Sequence, residues 1–336
     1  MNILVTGGAG FIGSHTVVAL VEAGFRPVIM DDFSNSQPSV LEGLAVILGE
    51  KPRCYAQDCN DFEALCRIIR DEQISGVIHF AASKAVGESM HEPLKYYHNN
   101  LGSLITVLQA MRAENISNLI FSSSCTVYGE PEKLPVTEAT AVQPASSVYG
   151  NTKQIGEEIL RDVTSADPGL RAISLRYFNP IGAHPSARIG ELPLGVPSNL
   201  VPFITQTAAG MRPSLTVFGD DYPTPDGTCI RDYIHVMDLA EAHVAALKKQ
   251  TTAQAADANY EVFNIGTGQG NTVLELIKTF EDVSGAPLNY QIGPRRAGDI
   301  SAVYADATKG REELGWTAKR DLREALADAW RWQQSL

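Results

Sequence analysis

The sequence predicts an α/β protein built on a doubly wound parallel sheet, with a smaller α/β region attached. Three observations carry that expectation: short unbroken apolar runs, longer intervening stretches at helical spacing, and a glycine cluster, VTGGAGFIGSH, at residues 5–15. Strands buried on both faces have no reason to alternate polar and apolar residues, so continuous Val, Ile and Leu runs mark parallel strands. In chain order these runs are residues 3–5, 28–30, 77–80, 119–121 and 173–175. The segments beginning near Ile12, Phe62, Pro93 and Tyr149 are long enough to be crossover helices between them. After about Asn179 the texture changes, as Pro180, Pro185, Pro193, Pro197 and Pro202 crowd a weakly periodic stretch. VMDLAEAHVAAL at 236–247 again reads as a crossover helix and YEVFNIG at 260–266 as a core strand. The expected division is therefore 1–180, rejoined by about 235–266, against 181–234 with 267–336.

Composition narrows the class of function. With 336 residues, 44% hydrophobic and 20% charged, the chain can bury a large core and has no disordered character. A net charge of −12 argues against a nonspecific grip on nucleic acid or on an anionic membrane. The five cysteines, Cys54, Cys59, Cys66, Cys125 and Cys229, show no C-x-x-C spacing, so neither a disulfide framework nor a metal site is indicated. Apolar runs are too short for a signal peptide or a membrane span, and a cytoplasmic protein is expected. His235 and His243 lack metal-pair spacing and read as ordinary helix and loop residues. Cys125 has no activating base in its neighbourhood of sequence and reads as an inert buried thiol.

The glycine cluster follows a strand and opens a helix, the context a dinucleotide phosphate loop requires. Gly8, Gly10 and Gly13 satisfy G-x-G-x-x-G, and Gly7, Gly10 and Gly13 the longer G-x-x-G-x-x-G. Each supplies a tight turn, room for a pyrophosphate or close packing of helix on strand, as in a Rossmann fold. Asp31 and Asp32 then end the second strand. A carboxylate there accepts from the adenosine ribose hydroxyls and repels a 2′-phosphate, so NAD is expected over NADP. SSVYGNTK at 146–153 sets Tyr149 four residues ahead of Lys153, on one helix face. A phenol titrating near ~10 acts as a base only with its anion stabilised, and an ammonium beside it lowers its pKa.

With TGGAGFIG, the serines Ser122 to Ser124 and Y-x-x-x-K in that order, the chain resembles the extended short-chain dehydrogenase/reductase family. Segments HFAASKAVGES, FSSSCTVYGE, LRYFNPIGAHPS and RDYIHVMDLAEAH look like the UDP-glucose 4-epimerases within it. The resemblance implies NAD-dependent 4-epimerisation of UDP-hexoses through a transient 4-keto sugar. Tyr149 would exchange the proton of the sugar 4-hydroxyl, Ser124 would bond the same oxygen, and Lys153 would hold the nicotinamide ribose and lower the Tyr149 pKa. It further implies cofactor contacts at Gly7, Gly10, Phe11, Ile12, Gly13, Asp31, Asp32, Asn35 and Ser36. Others fall at Asp58, Cys59, Phe80, Ala81, Ala82, Lys84, Asn99, Tyr177 and Phe178. On the UDP-sugar side it implies Asn179, Asn199, Leu200, Thr216, Phe218, Arg231, Arg296 and Asp299. Val303, four residues past Asp299, stands where a tyrosine restricts 2-acetamido sugars, so the N-acetylhexosamine pair is an expected substrate as well. A homodimer packed through helices of the cofactor domain is also implied. Sugar-nucleotide 4,6-dehydratases place an acid pair where Ser124, Cys125 and Thr126 stand here. Epimerases of UDP-glucuronate and a noncatalytic NAD sensor are the remaining alternatives.

Overall fold

The computed structural model describes residues 1–252, 259–296 and 298–336; residues 253–258, inside the returning segment expected at 235–266, and Ala297 lie outside the described residues. Strands β1 (Asn2–Thr6), β2 (Arg26–Met30), β3 (Arg53–Tyr55), β4 (Ile74–His79), β5 (Asn118–Ser124) and β6 (Arg171–Tyr177) lie in one parallel sheet. Short strands β7 (Asn179–Ile181), β8 (Leu215–Phe218), β9 (Ile230–Arg231) and β10 (Tyr233–His235) follow before β11 (Tyr260–Ile265) pairs in parallel with β6. The sheet order is β11-β6-β5-β4-β1-β2-β3, so the winding reverses between β1 and β4. In such sheets the crevice at the carboxyl ends beside the reversal is where a ligand fits.

Continuous apolar strands have a direct explanation in the two faces. Ile3, Val5 and Ile29 face one core with Val17, Val18 and Leu20 of α1 (Phe11–Glu22), while Leu4, Val28 and Met30 face the other. The first core is closed by α2 (Ser39–Leu48) through Leu41 and Leu44. The second is closed by α3 (Phe62–Asp71) through Leu65 and Ile68.

The crossover after β4 departs from the single helix expected from Pro93. It runs as α4 (Val86–His91), α5 (Pro93–Tyr96), a π-helical turn at Tyr97–Leu101 and then α6 (Gly102–Ala113). Such a turn carries a residue the regular ladder cannot absorb and is frequent at functional sites; here it displays Asn99. Helix α7 (Val148–Ala166) starts at Ser147, whose hydroxyl accepts the Gly150 N–H at 3.1 Å.

The smaller region contains α8 (Leu200–Ala208), and α9 (Val236–Thr252) then covers the first core of the main sheet. Helix α10 (Val273–Ser284) opens with a capping box between Thr272 and Glu275. Strands β12 (Asn271–Thr272), β13 (Tyr290–Gly293) and β14 (Ala302–Val303) and helices α11 (Thr308–Leu314) and α12 (Leu322–Gln334) are the other elements after α9 among the described residues. The separate core of the smaller region joins Ile181, Val201, Ile204, Val217, Ile277, Phe280 and Leu326. Among the described residues no helix is long and apolar enough to cross a membrane.

His235 lies in a strand rather than a loop, with Nε2 3.3 Å from Asp328. His243 is buried in α9 beneath the rings of Phe80 and Tyr177, 4.7 and 5.6 Å away.

Candidate functional site

The glycine loop runs from the end of β1 into α1. Gly7 has φ +68°, and a Cβ there would stand 2.8 Å from the Ala81 nitrogen at the end of β4. At Gly13 a Cβ would come within 2.3 Å of the Gly7 carbonyl oxygen, so only glycine lets the first turn of α1 close on the loop. Gly10 differs: within 4 Å its Cβ would meet only the Gly7 oxygen, at 3.2 Å. Beyond it lies space in front of the free N–H groups of α1, with no side-chain cap. Backbone donors, a helix dipole and room for close approach suit a pyrophosphate.

Asp31 is 7% exposed and holds this loop in place. Its Oδ2 accepts the Ala9 N–H at 2.9 Å, and Oδ1 accepts from Phe33 N at 2.9 Å and Ser36 Oγ at 2.8 Å. The sequence suggested a ribose acceptor; the structure adds that the same carboxylate braces the phosphate loop. Asp32 turns outward and accepts from Ser34, beside exposed Asn35. Exposed Asp58 and buried Cys59 follow β3, and half-buried Phe80, Ala81 and Ala82 follow β4. Phe11 and Ile12 begin α1, and buried Tyr177 and Phe178 end β6. These cofactor-side candidates lie at the carboxyl ends of parallel strands or at the helices and loops that follow them, as an extended dinucleotide laid across the reversal requires.

On α7, Tyr149 and Lys153 sit beside the end of β5. The Lys153 ammonium donates to the Ser122 carbonyl at 2.6 Å and lies 5.8 Å from the Tyr149 ring centroid and 4.9 Å from that of Phe121. Ser124 Oγ accepts from Thr126 N at 3.2 Å and from Thr126 Oγ1 at 3.0 Å. Burial pushes the Tyr149 phenol up to about 12, partly offset by the Ser124 hydroxyl, and pulls the Lys153 ammonium down to about 7, partly offset by Glu157. The depression of Tyr149 expected from Lys153 is thus not what these side chains produce: desolvation wins over a neighbour whose own charge it weakens. Burial likewise raises the Cys125 thiol to about 12, which fits an inert side chain.

Of the uridine-side candidates, Arg231, Arg296, Asp299, Phe218 and Val303 gather where β9 and β14 pair. Arg296 grips Asp299 with two bonds of 3.1 and 2.8 Å, Arg231 lies 3.8 Å from the same carboxylate, and Phe218 lies under Arg296 at 5.8 Å. Val303 pairs with Arg231 in register and is buried with Val127 and Phe178 in one apolar cluster. Asn179 sits at the start of β7, and Thr216 on β8 faces β13. Leu200 packs against the smaller core.

Three connections have no sequence signature. Glu191 accepts from Lys84 at 3.1 Å and from Asn199 at 2.6 Å, joining a cofactor-side and a substrate-side candidate. Asn99 lies 3.4 Å from the hydroxyl of Ser83, beside Lys84. Buried Asp232 accepts from Thr267, Gly268 and Ala305, fixing the backbone that carries Val303. A motif would not reveal them, because their partners are remote in sequence.

The model of the family described as GDP-mannose 4,6 dehydratase matches residues 4–329. A UDP-glucose 4-epimerase of Bacillus subtilis is 51% identical over 335 residues, spanning 100% of this chain and 97% of its own. Another, from Yersinia pestis, is 50% identical and spans 99% and 97%. Among solved structures, a UDP-glucose-4-epimerase of Stenotrophomonas maltophila with bound NAD and formylated UDP-arabinopyranose is similar at TM-score 0.96 and 46% identity, covering 100% and 98%. Identity near one half over almost the whole length of both chains shows that the chain belongs to the UDP-glucose 4-epimerases of the extended short-chain dehydrogenase/reductase family.

Proposed function

We propose that Tyr149 exchanges the proton of the sugar 4-hydroxyl, with Ser124 bonded to the same oxygen, in an NAD-dependent interconversion of UDP-glucose and UDP-galactose. The observation carrying these roles is the placement of Tyr149 and Lys153, one turn apart on α7, beside the end of β5 that carries Ser124, at the carboxyl edge of the sheet that also holds the glycine loop. The residues fit NAD: Gly7, Gly10 and Gly13 leave room for a pyrophosphate, and Asp31 offers a ribose acceptor without a neighbouring arginine. When bound, NAD supplies a reversible hydride acceptor and a positive charge close to the phenol. Lys153 holds the nicotinamide ribose and adds its own charge, and the two together offset the burial that raises Tyr149. Arg231 and Arg296 bind the diphosphate as guanidinium forks, and Asp299 accepts from the uridine ribose. The sugar turns at the 4-keto stage, and the hydride removed from C4 and the proton removed from its oxygen both return, so the configuration inverts with no net redox change.

Residues 1–180 with 235–266 form the cofactor half in this reading, and 181–234 with 267–336 the UDP-sugar half. A second substrate pair is favoured by Val303. It is buried beside Arg231, packed with Val127 and Phe178, and lacks the bulk of a tyrosine, which supports room for a 2-acetamido group. The same reading makes the chain a cytoplasmic homodimer. Free cysteines support the reducing compartment, and exposed Phe62 and Ile105, on adjoining helices of the cofactor half, support the interface. Incubating the holoenzyme with UDP-galactose, without added oxidant, tests the function. UDP-glucose is the expected product, and its absence refutes the reading.

A further inference from the structure

Beneath the catalytic cluster lies a buried polar chain that the reaction does not use. Glu157 is one helical turn beyond Lys153 on α7, its side chain 4% exposed, and pairs with Arg176 of β6, whose side chain is 5% exposed. Its Oε1 accepts from Ser123 Oγ at 2.6 Å and Arg176 Nε at 2.9 Å, and its Oε2 accepts from Arg176 Nη2 at 2.5 Å. Arg176 also donates to the Tyr128 hydroxyl at 3.0 Å, which donates to Asn264 at 2.6 Å. A buried ion pair is often neutral or unfavourable for stability compared with apolar residues of the same volume, so stability alone is a weak reason for one here.

Position supplies a better reason. Tyr149, Lys153 and Glu157 recur every four residues and share a face of α7. Ser123, held by Glu157, lies between Ser122, whose carbonyl receives Lys153, and Ser124, whose hydroxyl lowers the Tyr149 pKa. Other groups facing this region are His79 on β4, Tyr177 on β6 and Tyr260 on β11. A second carboxylate, Glu138, accepts from Asn264 N at 2.7 Å at the far end of the polar chain, whereas Glu157 is the carboxylate that bears on Lys153. We propose that Glu157, oriented by Arg176, is a positioning residue that supplies the counter-charge for the Lys153 ammonium and fixes the strand end carrying Ser124. This rests on the reading of Lys153 as part of the site, and its test does not require turnover.

Holoenzyme labelled with 13C at lysine Cε is titrated by NMR, with the Lys153 signal assigned through its loss in Lys153→Met. In Glu157→Gln the midpoint is expected to fall by about 1 pH unit, because an anion is lost and Arg176 is left unpaired. The high-pH limb of kcat should move down by the same amount, and Glu157→Asp should keep both near the parent values. In Glu157→Leu/Arg176→Leu an apolar pair can restore thermal stability, yet the Lys153 midpoint should still lie below that of the parent. A parental midpoint in Glu157→Gln or in the double variant overturns the proposal and makes the pair a structural feature only.

Discussion

The Lys153 ammonium is anchored to the Ser122 carbonyl at 2.6 Å and stands 5.8 Å from the ring of Tyr149. Burial lowers its pKa from 10.5 to about 7. A base depressed in the folded state binds fewer protons than it does unfolded between those two values, so stability rises with pH across that window. Its cost is full below pH 7 and gone by 10.5. Lys153→Met should therefore raise the melting temperature most at pH 6, with the gain shrinking toward pH 10, as followed by circular dichroism. An unchanged or lowered melting temperature at pH 6 contradicts the buried ammonium.

Tyr149→Phe removes one oxygen from a half-buried ring and should leave the fold and bound NAD intact. Turnover should fall by at least ~10²-fold, the lower range for a positioned acid/base group. Near-parental kcat, with circular dichroism and cofactor content unchanged, would exclude Tyr149 as the proton carrier.

Cofactor choice follows from Asp31. Its charge is fixed at the end of β2 by bonds to Ala9, Phe33 and Ser36. A 2′-phosphate at the adenosine ribose meets a carboxylate that cannot swing away. Losing a charge-assisted bond costs roughly 1.5–3 kcal/mol, so mass spectrometry of cofactor released on denaturation should find mainly NAD. A majority of NADP is the contrary result.

Much of this architecture could be read from the chain because it is local. The Ile, Leu and Val runs of β1, β2 and β4 are continuous since their alternate residues enter two cores, and the glycine loop announces itself by spacing. The Tyr149 titration was not readable in the same way. Spacing showed a lysine four residues away, but the sign depends on how deeply both groups are desolvated. Nor could Glu191 be found, since Lys84 is 107 residues distant in sequence and only the fold brings them together. The π-helical turn that displays Asn99 leaves no pattern distinct from an ordinary helix.

The size of Val303 gives a selective test. Val303→Tyr should remove turnover of UDP-N-acetylglucosamine while retaining that of UDP-glucose, because a ring fills the space near the sugar 2-substituent. Values of kcat/KM for both pairs in parent and variant measure it. No detectable turnover of acetamido sugars by the parent refutes the wider specificity.

The central claim is that one bound NAD takes and returns the same hydride while Tyr149 handles only the proton. UDP-galactose deuterated at C4, incubated with holoenzyme in ordinary water, tests it by mass spectrometry and NMR of the product. UDP-glucose retaining deuterium at C4 is the predicted result; loss of that label to solvent would show that the hydrogen leaves as a proton and would contradict the account.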